Sequence, residues 1–544
     1  MGDDAKTLIR HHEYLRGEQA NFRQLWNQVA QFVMPAWDNF VGEQAQGVNR
    51  NSRLFDSTAV AANERFAAAM EWMLTPRTQE WHGLEPLDER MADDPAVQSQ
   101  IDQAVKIMFS VRYKPAANFA SQTDECYLSL GAFGNNALFI DEAYGKGIRY
   151  RSAPLNEIVW SLDHSGMVDT VYREFEFTPK QAYAQWGENA LPEQVRTAYD
   201  KNPYQKLKFL HVVKPNEERK LNALGSKGMR FASWYIYPQT RDVIQSGGYR
   251  SFPWAIGRYR MAPREQYGRS PAVTVFPHIR TLNEMRKTVL RAGQKAVDPP
   301  ILLQEEGVLT PFNQRPGAAN YGMLNADGVA LAQPLQQGGK FEIGQELMQA
   351  EAGAINDAFL VSLFQILVQS PEMTATEALI RAQEKGIMIA PAMGRQQSEF
   401  LGPMIMRELD ILVHAGMIGQ SVLEQVKPSY TSPLTRLMRA EEATAIMNTV
   451  QSIAQLAQLD PNATHVIDAV DAAREIALIN RCPAKFLRTE EQIDAIVQQQ
   501  QQDQQTQQMV GAAPAVSQSA LNLAKAQQAL TGAGGAGVPA GSGG

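Results

Sequence analysis

The residues best suited to bind a charged partner are the cations of residues 271–297, a stretch in which apolar residues recur at helical spacing. The cations and one acid follow intervals of four, three, four and four residues, and they are Arg280, Glu284, Lys287, Arg291 and Lys295. This spacing places them along one stripe of an α-helix. The apolar residues on the other side are Ile279, Leu282, Met285, Val289 and Leu290. The stripe can bind phosphates or an acidic partner, and the alternative interpretation is an ordinary solvated helix face.

The chain as a whole is acidic, so this basic helix needs an explanation. Its 544 residues carry a formal net charge of −7, which argues against a general nucleic-acid binder. Residues 201–300, however, contain 19 Lys and Arg against 6 Asp and Glu. Six further cations of this segment are Lys206, Lys208, Lys214, Arg219, Lys220 and Arg230. Because solvation needs no single sign of charge, the segment favours a surface for phosphates or for an acidic partner.

No motif in the sequence predicts catalysis, a cofactor or a metal. A nucleotide-hydrolysing motor needs a glycine loop ending in Gly-Lys-Ser/Thr, and "AGQKAV" at 292–297 lacks both the spacing and the hydroxyl. The eight histidines contain no HExxH pair, and the chain has no Gly-x-Ser-x-Gly elbow. The sequence therefore predicts a protein that is not an enzyme.

Length and composition predict a large, reducing-compartment protein. Hydrophobic residues make up 44% of the chain, and its length allows three or four domains. The two cysteines, Cys126 and Cys482, are far apart and predict no disulfide framework. The N-terminus does not resemble a signal peptide, and the most apolar run, 359–368, is too short to span a membrane. We therefore expect a soluble protein without a Sec-type signal.

The part of the chain before the basic helix is predicted to form helices first and then strands. Helices are predicted over 5–35, 59–74 with Asp56 or Ser57 as its cap, 95–112 and 118–132. The alanines of 59–74 allow a neighbouring helix to approach closely. Hairpins follow, with turns at 145–147 and 163–166, and then two short helices opened by Thr178-Pro179 and Leu191-Pro192.

Further strands precede the basic helix, and helices follow it. The strands are Phe209–Val213, Phe231–Tyr237 and Trp254–Tyr259, and Ser270-Pro271 opens the basic helix. Gly293 costs that helix about 1 kcal/mol relative to alanine, which indicates a packing contact or a bend. Residues 299–342 read as strands and long loops. Later helices are predicted near 344–369, 375–386 with a Thr374/Glu377 capping box, 392–415, 436–457, 463–479 and 488–508, before a disordered Gly/Ala-rich tail.

Five segments together resemble one family, the podovirus-type head-to-tail connector, or portal, proteins of tailed bacteriophages. The segments are "NRNSRLFDSTAVAANERFAAAMEWMLTPRTQEW" (49–81), "YGRSPAVTVFPHIRTLNEMRKTVLRAGQKAVDPPIL" (267–302), "MTATEALIRAQE" (373–384), "GRQQSEFLGPMIMRELDILVHAGMI" (394–418) and "SPLTRLMRAEEATAI" (432–446). They span most of the chain in the family's order, and the C-terminal Gln/Gly tail is not part of the resemblance.

The resemblance implies a mixed α/β, predominantly α portal fold that assembles as a homo-oligomeric ring, usually of twelve subunits. The ring occupies one capsid vertex of the virion and is built in the host cytoplasm. Double-stranded DNA passes through its channel during packaging and ejection, without sequence preference. The ring docks the large subunit of the terminase and later a tail adaptor protein, and it contacts the major capsid and scaffolding proteins. No membrane and no cofactor are implied.

Laid onto this sequence, the resemblance implies six regions, and the tail at 511–544 follows them. The six are a wing at 1–177, a first stem helix region at 178–204, a clip at 205–267, a second stem helix at 268–297, the second part of the wing at 298–430 and a helical crown at 431–510. Gly187 and Pro192 break the first stem helix into short pieces.

The resemblance also gives the two sets of cations expected roles. The stripe of Arg280, Lys287, Arg291 and Lys295 would face the DNA channel or an acidic surface of a neighbouring subunit. The six cations of the clip would receive the terminase or the tail adaptor. Two alternatives stay open: a nucleic-acid-binding oligomeric scaffold that is not a portal, and an unrecognised metal-dependent nuclease.

Overall fold

The computed structural model describes residues 5–303 (except 38, 43, 44, 46, 92, 93, 144–146, 221, 222 and 224), parts of 313–334, 341–361, 391–430, 433–456, 466–479 and a few positions between 492 and 525. The chain forms two compact units, Met1–Glu441 and Glu442–Gly544. None of the described helices combines the length and the apolar character that crossing a membrane requires.

Helices dominate both ends of the described chain. Those before residue 300 are α1 (Ala5–Glu18), α2 (Ala20–Val33), α3 (Thr58–Leu74), α4 (Pro95–Arg112), α5 (Phe119–Phe133), α6 (Pro179–Trp186), α7 (Glu193–Lys201), α8 (Pro271–Thr274) and α9 (Phe276–Val297). Those after it are α10 (Phe341–Ala358), α11 (Gly402–His414), α12 (Gln420–Gln425), α13 (Pro433–Leu456) and α14 (Ala469–Ile479). A π-helix, Gln396–Leu401, runs directly into α11.

The strands pair antiparallel throughout the described chain. They are β1 (His82–Pro86), β2 (Asn135–Ala143), β3 (Gly147–Ser152), β4 (Ile158–Leu162), β5 (Val168–Phe177), β6 (Leu207–Pro215), β7 (Phe231–Tyr237), β8 (Asp242–Tyr249), β9 (Trp254–Arg258), β10 (Ile301–Leu303), β11 (Ala332–Pro334) and β12 (Val426–Tyr430). The larger sheets have the strand orders β4-β5-β6-β7-β8 and β3-β2-β9, and β1 pairs with β12 and β10 with β11.

The five-stranded sheet is covered by helices on both faces. On one face, Leu8 and Leu15 of α1 pack against a cluster that includes Tyr172 of β5. On the other face, Val195 of α7 packs with Phe209 of β6 in a second cluster. Because successive residues of a strand point to opposite faces, the apolar residues of β5 and β6 supply both clusters.

This sheet crosses the predicted boundaries between the wing and the clip. β5 lies in the region 1–177, yet it pairs with β6 of the region 205–267 along its whole length, from Val171↔Val213 to Phe177↔Leu207. β9, also in 205–267, pairs instead with β2. The strands of the predicted clip therefore continue sheets of the predicted wing.

The region 178–204 does not contain one long helix. It holds α6, a 3-10 turn and α7, because Gly187 adopts a φ of 76° at the end of α6 and Pro192 caps α7 from outside its first turn. Thr178 caps α6 through a complete capping box with Gln181. The two short helices predicted from Thr178-Pro179 and Leu191-Pro192 are therefore confirmed, and the assignment of 178–204 to a first stem helix region stays a prediction.

Other differences from the sequence-based elements are local. The helix predicted over 5–35 breaks at Gln19, whose buried side-chain amide donates to the carbonyl of Ile158, 2.9 Å away. Strands β1, β8 and β12 were not predicted: β8 is a Gly-containing edge strand, and β1 and β12 are more than 300 residues apart. The predicted helix 375–386 and the Thr374/Glu377 capping box lie outside the described residues, as do the tail apart from Lys525 and most of the helix at 488–508.

The alanine-rich α3 packs closely against α5, as the sequence predicts. A Cβ atom at Gly131 of α5 would lie 2.2 Å from Oδ1 of Asn63 and 2.7 Å from the Phe66 ring, both on α3. Ala62 and Ala67 of α3 are buried beside this contact. A hydrogen atom at position 131 is therefore what lets the two helices approach.

We expect Gly131→Ala to lower the free energy of unfolding by about 1–2 kcal/mol, because overpacking outweighs the helix propensity that alanine adds. Gly293→Ala in α9 is the matched control, since a Cβ there meets no atom within 4 Å. It should raise the stability by about 0.5–1 kcal/mol. Urea unfolding followed by circular dichroism measures both, and equal effects of the two substitutions would contradict the close approach.

Candidate nucleic-acid interface

The basic helix α9 is fixed to the core at its N-terminal end. Ser270 caps the preceding turn, α8: its Oγ accepts from the amide of Val273 and donates to the carbonyl of Ala132 at the end of α5. Pro271 occupies the first helical position, as predicted. A short interruption at Val275 separates α8 from α9, so the predicted helix 271–297 consists of two pieces.

In the described part of the chain, the apolar side of α9 packs against the core as far as Val289. Ile279 and Leu282 are buried, and Met285 and Val289 pack against the same core. Leu290, expected on this side, is 47% exposed. Gly293 makes none of the packing contacts predicted for it. The last two turns of α9 therefore extend beyond the core, which the helical pattern alone did not show.

A polar residue that the sequence did not single out holds a loop against α9. Asn283 is buried, and its Oδ1 accepts from the backbone amides of Phe55 and Asp56 at 2.7 and 3.2 Å. Its Nδ2 donates to the carbonyl of Arg53 at 3.1 Å. The sequence contains one indication of this contact. Asn283 follows Leu282 at the apolar side of the helix, and a buried polar side chain there needs hydrogen-bond partners.

The four cations of the predicted stripe lie on the side of α9 away from the core. Arg280, Arg291 and Lys295 are exposed, and no described acid forms a salt bridge with them. Lys287 is more enclosed: its Nζ lies 3.3 Å from Oε2 of Glu284 and 5.4 Å from the ring centroid of Phe55. The uncompensated charge of the stripe thus comes from three residues rather than four.

Arg280 also borders an open groove between α9 and α10. The groove has a volume of about 760 Å³, and Gly344 of α10 contributes to its wall. Phe276, Met285 and Val289 supply apolar lining, and His278 joins the helices through Glu351 at 2.7 Å. The helix that carries the stripe therefore lies beside α10 from Phe276 to Val289.

Three of the six cations in the predicted clip are paired with acids. Lys206 lies 3.1 Å from Glu176, Lys208 lies 3.9 Å from Glu174, and Lys214 lies 3.6 Å from Glu217. These pairs are at least partly solvent-exposed, so each contributes little to stability, but each reduces the local positive charge.

The other three clip cations lie near the 3-10 turn 225–228 and the start of β7. Arg219 donates to the carbonyl of Gly228 at 3.2 Å, and the Arg230 guanidinium lies 5.8 Å from the Phe231 ring centroid. Lys220 is exposed. The six residues therefore divide into an acid-paired set at the sheet and a set in the β6–β7 connection that forms no salt bridge with a described acid.

The exposed cations of α9 can bind phosphates through charge, without contacting base edges. Such binding does not depend on sequence and weakens as salt increases. In the described ranges, no group of three or more His, Cys, Asp or Glu side chains is arranged to hold a metal ion.

Comparison with known proteins gives a consistent family. Residues 5–487 match the family model described as bacteriophage head to tail connecting protein. A probable portal protein of Bordetella phage BPP-1 is 25% identical over 491 residues, covering 87% of this chain and 86% of the relative. The portal protein of Salmonella phage epsilon15 is 24% identical over 540 residues, covering 96% of each chain.

Among solved structures, a chain from the neck of an empty gene transfer agent particle is 11% identical, with a TM-score of 0.34. The match covers 82% of this chain and 99% of that one. The family assignment rests instead on the sequence match, which extends from α1 past α14 and includes the basic helix. The chain therefore belongs to the bacteriophage head to tail connecting protein family.

Proposed function

We propose that this chain is the subunit of a portal ring of twelve copies at one vertex of a phage capsid. The ring forms the channel through which double-stranded DNA is packaged and ejected. It docks the large subunit of the terminase and later the tail adaptor, and it contacts the major capsid and scaffolding proteins. Membership of the connecting protein family and two portal-protein relatives covering most of the chain support this proposal.

The observation that carries the DNA-channel role is the exposed, uncompensated charge on α9. In a chain with net charge −7, Arg280, Arg291 and Lys295 project from one side of a helix that is anchored in the core as far as Val289. A channel must attract DNA without holding it at one position. Sparse phosphate contacts satisfy this need, because they are independent of sequence and allow sliding.

The proposed regions follow the observed sheets. We keep residues 268–297 as the stem, 1–177 with 298–430 as the wing and 431–510 as the crown. The strands of 205–267 belong to sheets shared with the wing, so the docking surface is confined to the β6–β7 connection, which carries Arg219, Lys220 and Arg230.

Negative-stain electron microscopy and native mass spectrometry of the purified protein test the ring. We expect rings with a central hole and a mass of about twelve times the 60.4 kDa of the chain. If only monomers are found, the measurement is repeated after co-expression with the scaffolding protein. A compact dimer that binds DNA in both samples would contradict the proposal and favour the nucleic-acid-binding scaffold.

We expect Arg291→Glu combined with Lys295→Glu to reduce packaged DNA by about tenfold or more, because the stripe would repel phosphates. The measurement is DNase-protected DNA in assembled capsids, with native mass confirming that rings still form. Arg196→Glu with Lys201→Glu, both exposed on α7, makes the same charge change away from α9. Unchanged packaging in the α9 variant would exclude the channel role of the stripe.

A further inference from the structure

A set of arginines lies between the two larger sheets, away from α9. Phe139 of β2 is opposite Arg151 of β3, and its ring centroid is 5.7 Å from that of His211 on β6. His211 is in register with Arg173 of β5 and with Tyr235 of β7, on which it stacks at 4.2 Å. Because residues opposite each other on adjacent strands share a face, Arg151 and Arg173 lie on the facing sides of the two sheets.

A third arginine, Arg149, lies beside this set at the protein surface. Arg149 is two residues before Arg151, so both lie on the same face of β3, and Arg149 is exposed. Asp141 is directly opposite Arg149, and its Oδ1 already accepts from the amide of Glu142 at 2.9 Å. No described carboxylate forms a salt bridge with Arg149 or Arg151.

Arg173 has an acidic partner but keeps free donors. Glu157 accepts from its Nε at 3.0 Å and lies 2.9 Å from NH2. A guanidinium carries five N–H donors, so one edge of Arg173 remains available. The three arginines outnumber the two acids on their side of the sheets, Asp141 and Glu157, by one. Of the other charges near Asp141, Arg407 is paired with Asp410, and Glu142 is the next residue along β2 and points to the opposite face.

Burial and the nearby positive charges lower the pKa values of two groups in this set. Burial, followed by the charges of Arg173 and Arg149, lowers the pKa of Arg151. Burial, with the charges of Arg173 and Arg151, lowers the pKa of His211 to about 3, so its ring stays neutral at physiological pH. Holding like charges together at a partly buried position costs stability unless an anion compensates them. Packing alone does not require three arginines here.

We propose that Arg149, Arg151 and Arg173 form a binding site for a phosphate-type oxyanion. Guanidinium groups match the oxygens of such an anion with paired, charge-assisted hydrogen bonds. Tyr235 borders the site through its stack on His211, and burial raises its pKa, so its hydroxyl stays a donor at neutral pH. The site lies on the two sheets rather than on α9, and it does not depend on the proposed channel.

Isothermal titration of the full-length protein with sodium phosphate, at ionic strength held constant with sodium chloride, tests the site. We expect one phosphate per chain. Arg149→Gln and Arg151→Met should each weaken binding by about tenfold or more, since each removes a charge-assisted contact. Arg196→Gln, an exposed arginine on α7, is the matched control and should bind as the wild type does. Arg149 is exposed, so its replacement leaves the fold intact.

Thermal unfolding gives a second readout that separates binding from a structural role. In chloride, Arg151→Met should unfold at a higher temperature than the wild type, because repulsion from Arg149 and Arg173 is removed. In phosphate, the wild type should gain about 2 °C and the variant should not. The absence of saturable phosphate binding by the wild type, or equal binding by Arg149→Gln and the control, would overturn the proposal.

A titration with a short DNA duplex tests whether the site binds a free anion or the phosphates of DNA. The duplex is added at the same concentration of phosphate groups as the inorganic phosphate. Competition between the duplex and inorganic phosphate, lost in Arg149→Gln, would identify DNA. Phosphate binding without competition would identify a free anion. Native mass spectrometry of every variant gives its oligomeric state. The phosphate titration can be interpreted for monomers and for rings, so its result does not depend on whether the proposed ring forms.

Discussion

Replacing Glu408 with alanine is expected to lower the free energy of unfolding by about 3–5 kcal/mol, the range found when one partner of a buried ion pair is removed. Glu408 of α11 is fully buried, and so is its partner, Arg112 at the end of α4. Nε of Arg112 donates to both carboxylate oxygens at 3.2 and 3.1 Å, and its NH2 also donates to Oε2. Removing the carboxylate leaves a buried guanidinium without a counter-charge.

The remaining neighbours of Arg112 cannot replace Glu408. NH2 of Arg112 lies 2.7 Å from Nε2 of His82, and the guanidinium lies 4.7 Å from the ring centroids of Trp81 and Phe109. These neutral groups orient and partly stabilise the cation, but none carries a full negative charge. The penalty is therefore expected to lie in the range for a buried ion pair that has lost one partner, about 3–5 kcal/mol.

Urea unfolding followed by tryptophan fluorescence measures the effect, since Trp81 lies beside the pair. Glu85→Gln is the control: Glu85 lies 3.9 Å from Lys427 with both side chains about half exposed, so its loss should cost less than about 1 kcal/mol. Arg112→Met combined with Glu408→Leu should recover much of the lost stability, because no charge is then buried. Equal effects of Glu408→Ala and Glu85→Gln would show that the pair contributes little.

Acidification is expected to destabilise the fold through two buried histidines. Burial is the main cause that lowers the pKa of His12 to about 4. The charge of Glu174 acts in the opposite direction, and those of Arg16 and His11 lower the pKa further. Burial, together with Arg173 and Arg151, lowers the pKa of His211 to about 3. Both rings are therefore neutral in the folded protein over a pH range in which an unfolded chain binds protons.

The sign of the effect follows from these pKa values. The unfolded histidines have pKa values near 6.5, so the contribution to stability is present above that pH and is lost as the pH falls toward the folded pKa values. One pKa unit corresponds to about 1.4 kcal/mol, so at pH 4.5 each histidine should cost about 2–3 kcal/mol relative to pH 7.

Urea unfolding at pH 7 and pH 4.5 checks this expectation. His211→Phe with Ser233→Ala keeps the stack on Tyr235 and removes the hydroxyl that His211 contacts at 3.0 Å. This double variant should lose about 2–3 kcal/mol less than the wild type between the two pH values. Ser233→Ala alone is the control and should keep the pH dependence of the wild type, because His211 is still present. If the double variant shows the full pH dependence, His211 does not contribute to it.

The Glu408 pair is one of two described ion pairs that join the segment 391–414 to the first half of the chain. The other is Arg258 of β9 with Glu399 of the π-helix, at 2.8 and 2.9 Å. Arg407, which pairs with Asp410 inside the segment, adds a hydrogen bond to Oγ of Ser251 at 3.0 Å. The π-helix adds a residue to the turn that carries Glu399. Segments far apart in sequence are thus held together by charge as well as by apolar packing.

Local physical chemistry made much of the fold predictable. Cap residues and periodicity predicted α3, α4, α5 and β7 to within a residue or two, and Ser270-Pro271 gave the start of the basic helix. The stripe of cations on α9 and the family were likewise accessible from the sequence, because both depend on spacing and residue type along one stretch of chain.

Tertiary structure alone decided which of those features carry uncompensated charge. Periodicity gives the side of the helix on which Lys287 lies, but not that Glu284 and Phe55 occupy it, nor that the core ends near Val289 and leaves Leu290 exposed. The pairing of β5 with β6, and of Arg112 with Glu408 across 296 residues, also has no local signal. Such contacts join residues that are far apart in the chain, and many residues of similar type could serve as each partner. Only the packed structure determines which of these residues pair.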